Sequence, residues 1–223
     1  MHNIHIAGTG LWYPKDKISN EELVNSYNSY VDNFNKNNSN KILEGLISPM
    51  ELSSSEFIEK ASGIESRHVI DKEGILDINR MMPRVRNEHE DRISIHAEVG
   101  IKAAKKAMDQ AGISSSDIDA VIVGTSHAAR NYPAVAIEIQ NELSIDGYAY
   151  DMLVGCSSTT FAINNAFSDI ASGLADTILV INPEISTPAV NFTHRDKHFI
   201  FGDGCAASII QKDSSSEKSF RIL

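Results

Sequence analysis

Residues 93–126, "ISIHAEVGIKAAKKAMDQAGISSSDIDAVIVGTS", decide the fold class. The first part is rich in alanine and long side chains. Ile95, Val99, Ala103, Ala107 and Ala111 step by four, and Gly112 closes the run. That pattern predicts an amphipathic helix with a left-handed stop. "IDAVIVGTS" is apolar without alternation, as in a strand buried on both faces. The same succession continues downstream. "AVAIEIQNEL" is a helix begun just after Pro133, and "GYAYDMLVG" is a strand. Ser157 to Gly173 is a helix with Ile163, Phe167, Ile170 and Leu174 on one stripe, and "DTILVIN" is a further strand. Apolar strands alternating with helices predict an α/β fold: a mostly parallel sheet covered by helices on both faces. "HFIFGDGCAASIIQ" predicts a terminal antiparallel hairpin around a Gly-Asp-Gly turn.

Upstream, "NIHIAGTG" reads as a short buried strand. "SNEELVNSYNSYV" reads as a helix capped by Ser19, and "SSEFIEKASG" as a short helix closed by Gly63. "SRHVIDKEGI" is strand-like and then turns. The asparagine-rich run Asn33–Asn40 and the serine-rich run Ser48–Ser55 read as a solvated excursion. "RMMPRVRNEHED" reads as a solvated, salt-bridged stretch. Residues 1–211 are thus expected to form one α/β unit with an insertion at about 31–55. Residues 212–223 are polar and then apolar at "FRIL", which reads as the start of another element.

Composition narrows the function. The chain has 42% hydrophobic and 22% charged residues, an ordinary globular balance. A net charge of −10 argues against a general nucleic-acid or anionic-membrane surface. No apolar run is long enough to span a bilayer, and "MHNIHIAGTG" is not a signal peptide. Two cysteines make no disulfide framework and no CxxC pair, and the eight histidines show no HExxH spacing. A cytoplasmic protein without metal or cofactor is expected.

Cys156 stands out. It follows a buried strand and opens a helix, in "DMLVGCSSTTFAINNAF". Strand ends build sites in α/β sheets, and a helix N-terminus favours a thiolate. Gly155 before it resembles the elbow of hydrolases. Free cysteines are also among the most buried residues, so location alone leaves nucleophile and packing both open. Cys205, among small residues, reads as packing. His127 follows a strand and reads as a loop residue that could face a site.

Several stretches together carry a resemblance: "IAGTGLWYP", "EFIEKASGIESRHV", "NYPAVAIEIQ", "YDMLVGCSSTTF" and "HRDKHFIFGDGCAAS". In this order they resemble β-ketoacyl-[acyl-carrier-protein] synthase III, of the thiolase-like superfamily. The asparagine-rich insertion and "DKEGILDINRMMPR" resemble the β-ketodecanoyl-[acyl-carrier-protein] synthase subgroup, which takes a medium-chain acyl-CoA. The resemblance implies a thiolase-like fold and fatty-acid biosynthesis. Cys156 would accept the acyl group from acyl-CoA, with its backbone N–H in an oxyanion hole. Malonyl-[acyl-carrier-protein] would then lose carbon dioxide and condense with the acyl-enzyme.

The resemblance also assigns substrate contacts. Phe57 matches an aromatic near the CoA adenine, and Arg195 an arginine at the nucleotide end. Tyr132 matches an aromatic that reaches the neighbouring acyl pocket of a homodimer. Ala61 stands where many members have a second arginine. The family's Cys-Ala-Gly-Phe is Cys156-Ser157-Ser158-Thr159 here, so Thr159 is consistent with a roomier acyl site. The family's His-Gln-Ala-Asn and Gly-Asn-Thr motifs, which serve decarboxylation, do not occur in the sequence. Thiolase-like folds have two similar halves, so the chain reads as a first half, inactive alone: a fragment, an interrupted gene product or one subunit of a heteromer. A non-catalytic remnant is the competing reading. A cysteine hydrolase would need a base near the thiol, and no motif places one.

Overall fold

The computed structural model describes residues 3–86, 92–214, 216 and 218–223. They fall into two compact units, each assembled from separate stretches. One comprises Met1–Trp12, Asn87–Glu184 and Gly204–Leu223; the other comprises Tyr13–Arg86 and Ile185–Asp203. Among the described residues, no helix is long and apolar enough to cross a membrane.

The first unit is built on a six-stranded sheet. Its strands are β1 (Ile4–Trp12), β4 (Ala120–Gly124), β5 (Tyr148–Met152), β6 (Thr177–Ile185), β7 (Asp203–Lys212) and β8 (Phe220–Arg221). The order is β5-β4-β6-β7-β1-β8. β4 runs parallel to β5 and β6, while β1 runs antiparallel to β7 and β8. Every residue of β4 is buried, as its unbroken apolar run predicts.

Helices α5 (Ile95–Ala111), α6 (Val135–Leu143) and α7 (Ser158–Ser172) cover this sheet on both faces. α7 lays Ala162, Ala166 and Ile170 against Ile4, Ile122, Ile178, Val180 and Ile210. The opposite face carries α5, which approaches β1 so closely that a Cβ on Gly10 would lie 2.0 Å from the Ala103 carbonyl. The predicted α5 stripe is buried at Val99, Ala103 and Ala107, and Gly112 ends the helix at φ +70°. Leu174, expected on the α7 stripe, lies past the helix end at Gly173 and is exposed.

The second unit holds a small sheet, β2 (Lys17–Ser19) antiparallel to β3 (Ser66–His68). It also holds α1 (Asn20–Asn37), α2 (Ser39–Leu43), α3 (Ser55–Ser62) and α4 (Lys72–Leu76). Its core gathers Ile18, Leu23, Val24, Ile58, Val69, Ile75, Met81, Phe192 and Phe199. Ser19 caps α1 through a full capping box with Glu22, as the sequence predicts. Part of the predicted solvated excursion is α-helical, because α1 continues through Asn37. The predicted salt-bridged stretch reaches Arg84, which pairs with Asp71 and Glu73; residues 87–91 lie outside the described residues.

The terminal hairpin needs one correction. Its second arm is β7, but "HFIF" is not a strand. His198 and Phe199 are both buried, so the side chains do not alternate. The backbone closes local turns instead, from His198 N–H to His194 O (3.1 Å) and from Ile200 N–H to Lys197 O (3.4 Å). The Gly-Asp-Gly stretch is the entry to β7 rather than a hairpin tip. The Asp203 carboxylate accepts hydrogen bonds from Ile70 N–H (2.8 Å), Thr187 N–H (2.9 Å) and Thr187 Oγ1 (2.7 Å).

Candidate active site

β5 ends at Met152, and the chain then makes a single 3-10 turn, Gly155–Ser157, before α7. Cys156 sits in that turn with its side chain exposed. Gly155 takes φ +60°, a left-handed conformation that a glycine adopts without strain. Ser157 offers no side-chain cap to α7. The first N–H groups of a helix lack intrahelical partners, and the dipole is positive there. An exposed thiol at such a point is chemically accessible.

Ser158 holds this turn. It is buried, at 2% exposure. Its Oγ accepts from Val154 N–H (2.9 Å) and lies within donating distance of Gly155 O (2.8 Å) and Thr125 O (3.0 Å). Thr125 follows β4 and is fixed in turn, with Oγ1 donating to Pro183 O at 2.6 Å. Ser126 donates from N (2.7 Å) and Oγ (2.8 Å) to the Glu184 carboxylate. The C-terminal ends of β4, β5 and β6 are thereby tied together under the cysteine turn. The quoted motif gave Ser158 only as a departure from a glycine; its clamping role has no periodic signature.

Cys205 is the opposite case. It is buried in β7, and burial pushes its thiol up to about 12. The thiol is therefore held neutral and unreactive.

The other predicted site residues divide between the units. Thr159 is exposed on the first turn of α7, in the same unit as Cys156. Tyr132 belongs there too; it precedes Pro133 through a cis peptide and is 86% exposed. Phe57 on α3 and Arg195 belong to the second unit. There the Arg195 guanidinium carbon lies 4.0 Å from the Phe57 ring centroid, within cation–π range. Phe57 meets Phe199 edge-on at 5.9 Å. Ala61 is exposed on α3.

Of the histidines, His127 is half-buried and meets His96 edge-on at 5.5 Å between centroids. His96 is buried with neither ring nitrogen hydrogen-bonded, and burial takes it down to about 4. His198, buried in the second unit, donates from Nδ1 to Arg195 O (2.7 Å) and is also held down to about 4, first by burial. His96 lies in a helix stretch whose alanine pattern draws attention away from it.

Known proteins resemble the chain closely. A family model described as 3-oxoacyl-[acyl-carrier-protein (ACP)] synthase III matches residues 150–223. The chain is 48% identical over 189 residues to a β-ketodecanoyl-[acyl-carrier-protein] synthase of Pseudomonas aeruginosa, covering 85% of this chain and 54% of that protein. It is 32% identical over 161 residues to a β-ketoacyl-[acyl-carrier-protein] synthase III of a Chelativorans species, covering 72% of this chain and 44% of that protein. The crystal structure of 3-oxoacyl-[acyl-carrier-protein] synthase III from Aquifex aeolicus superposes with a TM-score of 0.69 at 25% identity, covering 96% of this chain and 55% of that one. The chain spans about half the length of the curated relatives it matches. Over that span, its sequence and its thiolase-like fold make it a member of the β-ketoacyl-[acyl-carrier-protein] synthase III family.

Proposed function

We propose that this chain accepts an acyl group from a medium-chain acyl-CoA on Cys156, the loading step of a condensing acyltransferase of fatty-acid biosynthesis. The exposed Cys156 on a clamped turn at the start of α7 carries the reading. The thiolate attacks the thioester carbonyl, and the N–H groups at the helix start stabilise the oxyanion. The carbon–sulfur bond to CoA breaks, CoA leaves and takes up a proton, and the acyl group stays on Sγ. In the condensing step, malonyl-[acyl-carrier-protein] loses carbon dioxide. Its carbanion attacks the acyl-enzyme and frees the Cys156 thiolate, giving β-ketoacyl-[acyl-carrier-protein].

Phe57 and Arg195 serve the nucleotide end of the donor. Thr159 leaves more room near the thiol than the family's phenylalanine. A ten-carbon product, as in the name of the Pseudomonas relative, requires an eight-carbon donor, so octanoyl-CoA is preferred. Tyr132 serves a second copy of the chain. β5 is an edge of its sheet, which supports pairing with a like edge in a homodimer. A reducing cytoplasm keeps Cys156 as a thiol. Residues 1–223 contain neither His-Gln-Ala-Asn nor Gly-Asn-Thr, so the chain by itself is expected to load without condensing.

The test is mass spectrometry after incubation with octanoyl-CoA. One octanoyl adduct on Cys156, absent from Cys156→Ala and formed faster than from acetyl-CoA, is expected. An adduct that persists in Cys156→Ala, or none in the unaltered chain, would refute the loading reading; faster loading from acetyl-CoA would refute the chain-length reading.

A further inference from the structure

The backbone ladder between β4 and β6 ends at Val123 opposite Ile181. Beyond it on β6 stands Pro183, which has no N–H to give a neighbouring strand. Side chains continue the pairing. Asn182 Nδ2 donates to Gly124 O at 2.9 Å, and Thr125 Oγ1 donates to Pro183 O at 2.6 Å. The Glu184 carboxylate accepts from Ser126 N–H at 2.7 Å on one oxygen and from Ser126 Oγ at 2.8 Å on the other. Three consecutive residues of β6 thus hold three consecutive residues at the exit of β4.

The cysteine turn stands on the segment so held. Ser158 Oγ reaches Thr125 O at 3.0 Å, and a Cβ on Gly124 would lie 2.7 Å from Ser158 O. Thr125 N–H donates to Met152 O at 3.1 Å, at the end of β5. β4 lies between β5 and β6 in the sheet, so Glu184 bonds not the turn but the segment beneath it. The three holds differ in kind. Asn182 and Thr125 are buried, so losing their bonds would leave polar groups unsatisfied. Ser126 is exposed, and water can replace its bonds to Glu184 at little cost in stability. What this pair adds is orientation, because one carboxylate takes both the N–H and the hydroxyl of a single residue.

We propose that Glu184 is a positioning residue for Cys156. By fixing Ser126 it sets the Thr125 carbonyl on which Ser158 anchors the cysteine turn. The proposal rests on the reading of Cys156 as the thiol that is loaded. Attack on a thioester needs the sulfur aligned with the carbonyl carbon while the oxyanion meets the N–H groups of the helix start. A small shift of the turn therefore costs rate.

The test is single-turnover loading of Cys156, followed by mass over a range of octanoyl-CoA concentrations. The chains compared are the parent, Glu184→Ala, Ser158→Ala and the variant with both changes. In Glu184→Ala the rate at saturating donor should fall about fivefold, with the half-saturating concentration unchanged. Its melting temperature should move by less than about 4 °C. Ser158→Ala has already released the turn from Thr125 O, so adding Glu184→Ala to it should slow loading no further. Iodoacetamide needs no alignment with the helix start and should label Cys156 in Glu184→Ala at the parent rate. Should Glu184→Ala not fold, Ser126→Ala removes one of the two bonds and should load about twofold more slowly, with the parent rate as the contrary result. Glu184→Ala that loads at the parent rate, that slows loading by the same factor in the Ser158→Ala background, or that slows alkylation as much as loading would overturn the proposal. A parent chain that takes no octanoyl group would instead overturn the loading reading, and the proposal with it.

Discussion

Replacing Ser158 with alanine tests whether the cysteine turn is held as described. The change removes one oxygen and leaves the Cβ. It strips the partner from Val154 N–H and the single hydroxyl donor that Thr125 O and Gly155 O share. Val154 is 46% exposed, so water can replace that bond, whereas Thr125 is fully buried. Leaving a buried polar group unsatisfied costs roughly 1–3 kcal/mol, so a loss of about 2 kcal/mol is expected. Urea titration should show a lower midpoint with an unchanged slope. The second readout is the rate at which octanoyl-CoA loads Cys156. It should fall about tenfold or more, because a turn free to shift misplaces the thiolate against the thioester. Ser168→Ala, which removes an exposed bond to Asn164 O, is the control and should stay within about 0.5 kcal/mol. If Ser158→Ala unfolded like this control and loaded at the parent rate, the clamp would have no part in the site.

Further predictions concern thiols, pH and packing. Iodoacetamide should label Cys156 in the folded chain and spare Cys205, whose thiol is buried and held protonated; peptide mapping that finds Cys205 labelled first would reverse the assignment. His96 and His198 are neutral in the fold, with folded values of about 4 against 6.5 unperturbed. The unfolded chain therefore takes up protons first, so their contribution is present above 6.5 and is lost as pH falls toward 4. Each accounts for about 3 kcal/mol across that window by linkage. Urea midpoints measured through this range should drop steeply, and less so in His96→Leu. Gly10→Ala places a methyl 2.0 Å from the Ala103 carbonyl; a loss of about 3 kcal/mol or more is expected in thermal unfolding, and a neutral result would mean α5 yields easily.

The α/β class was legible because α5, α7 and β4 owe their form to local periodicity and burial. Helix ends were legible too, since Ser19, Gly63 and Gly112 act on their nearest turns. The strand misread at "HFIF" has a clear cause. Phe199 serves the core of the second unit from a turn while Ile200 and Phe201 are exposed, so hydrophobicity without alternation misleads. Asn182 and Glu184 bond residues far back along the chain, which leaves no periodic trace. The division into two units was hidden for the same reason, because each collects separate stretches. At the site, the position of Cys156 at a strand-to-helix turn was readable, whereas the clamp from Ser158 to Thr125 depends on a contact between distant elements.

The place of β1 bears on how the chain reaches its fold. Among the described residues, β1 is joined to β4, β5 and β6 only through β7, with Ile4 opposite Lys212. β1 therefore waits for a strand that lies far along the chain. Until β7 arrives, β1 can rest on α5 but has no sheet neighbour on that side, and its ladder groups stay open. Such sequence-distant pairing makes folding slow, because the loop must close before contacts reward it. The nascent chain accordingly carries a long-lived open edge, the kind of surface on which holding chaperones act and from which aggregation starts.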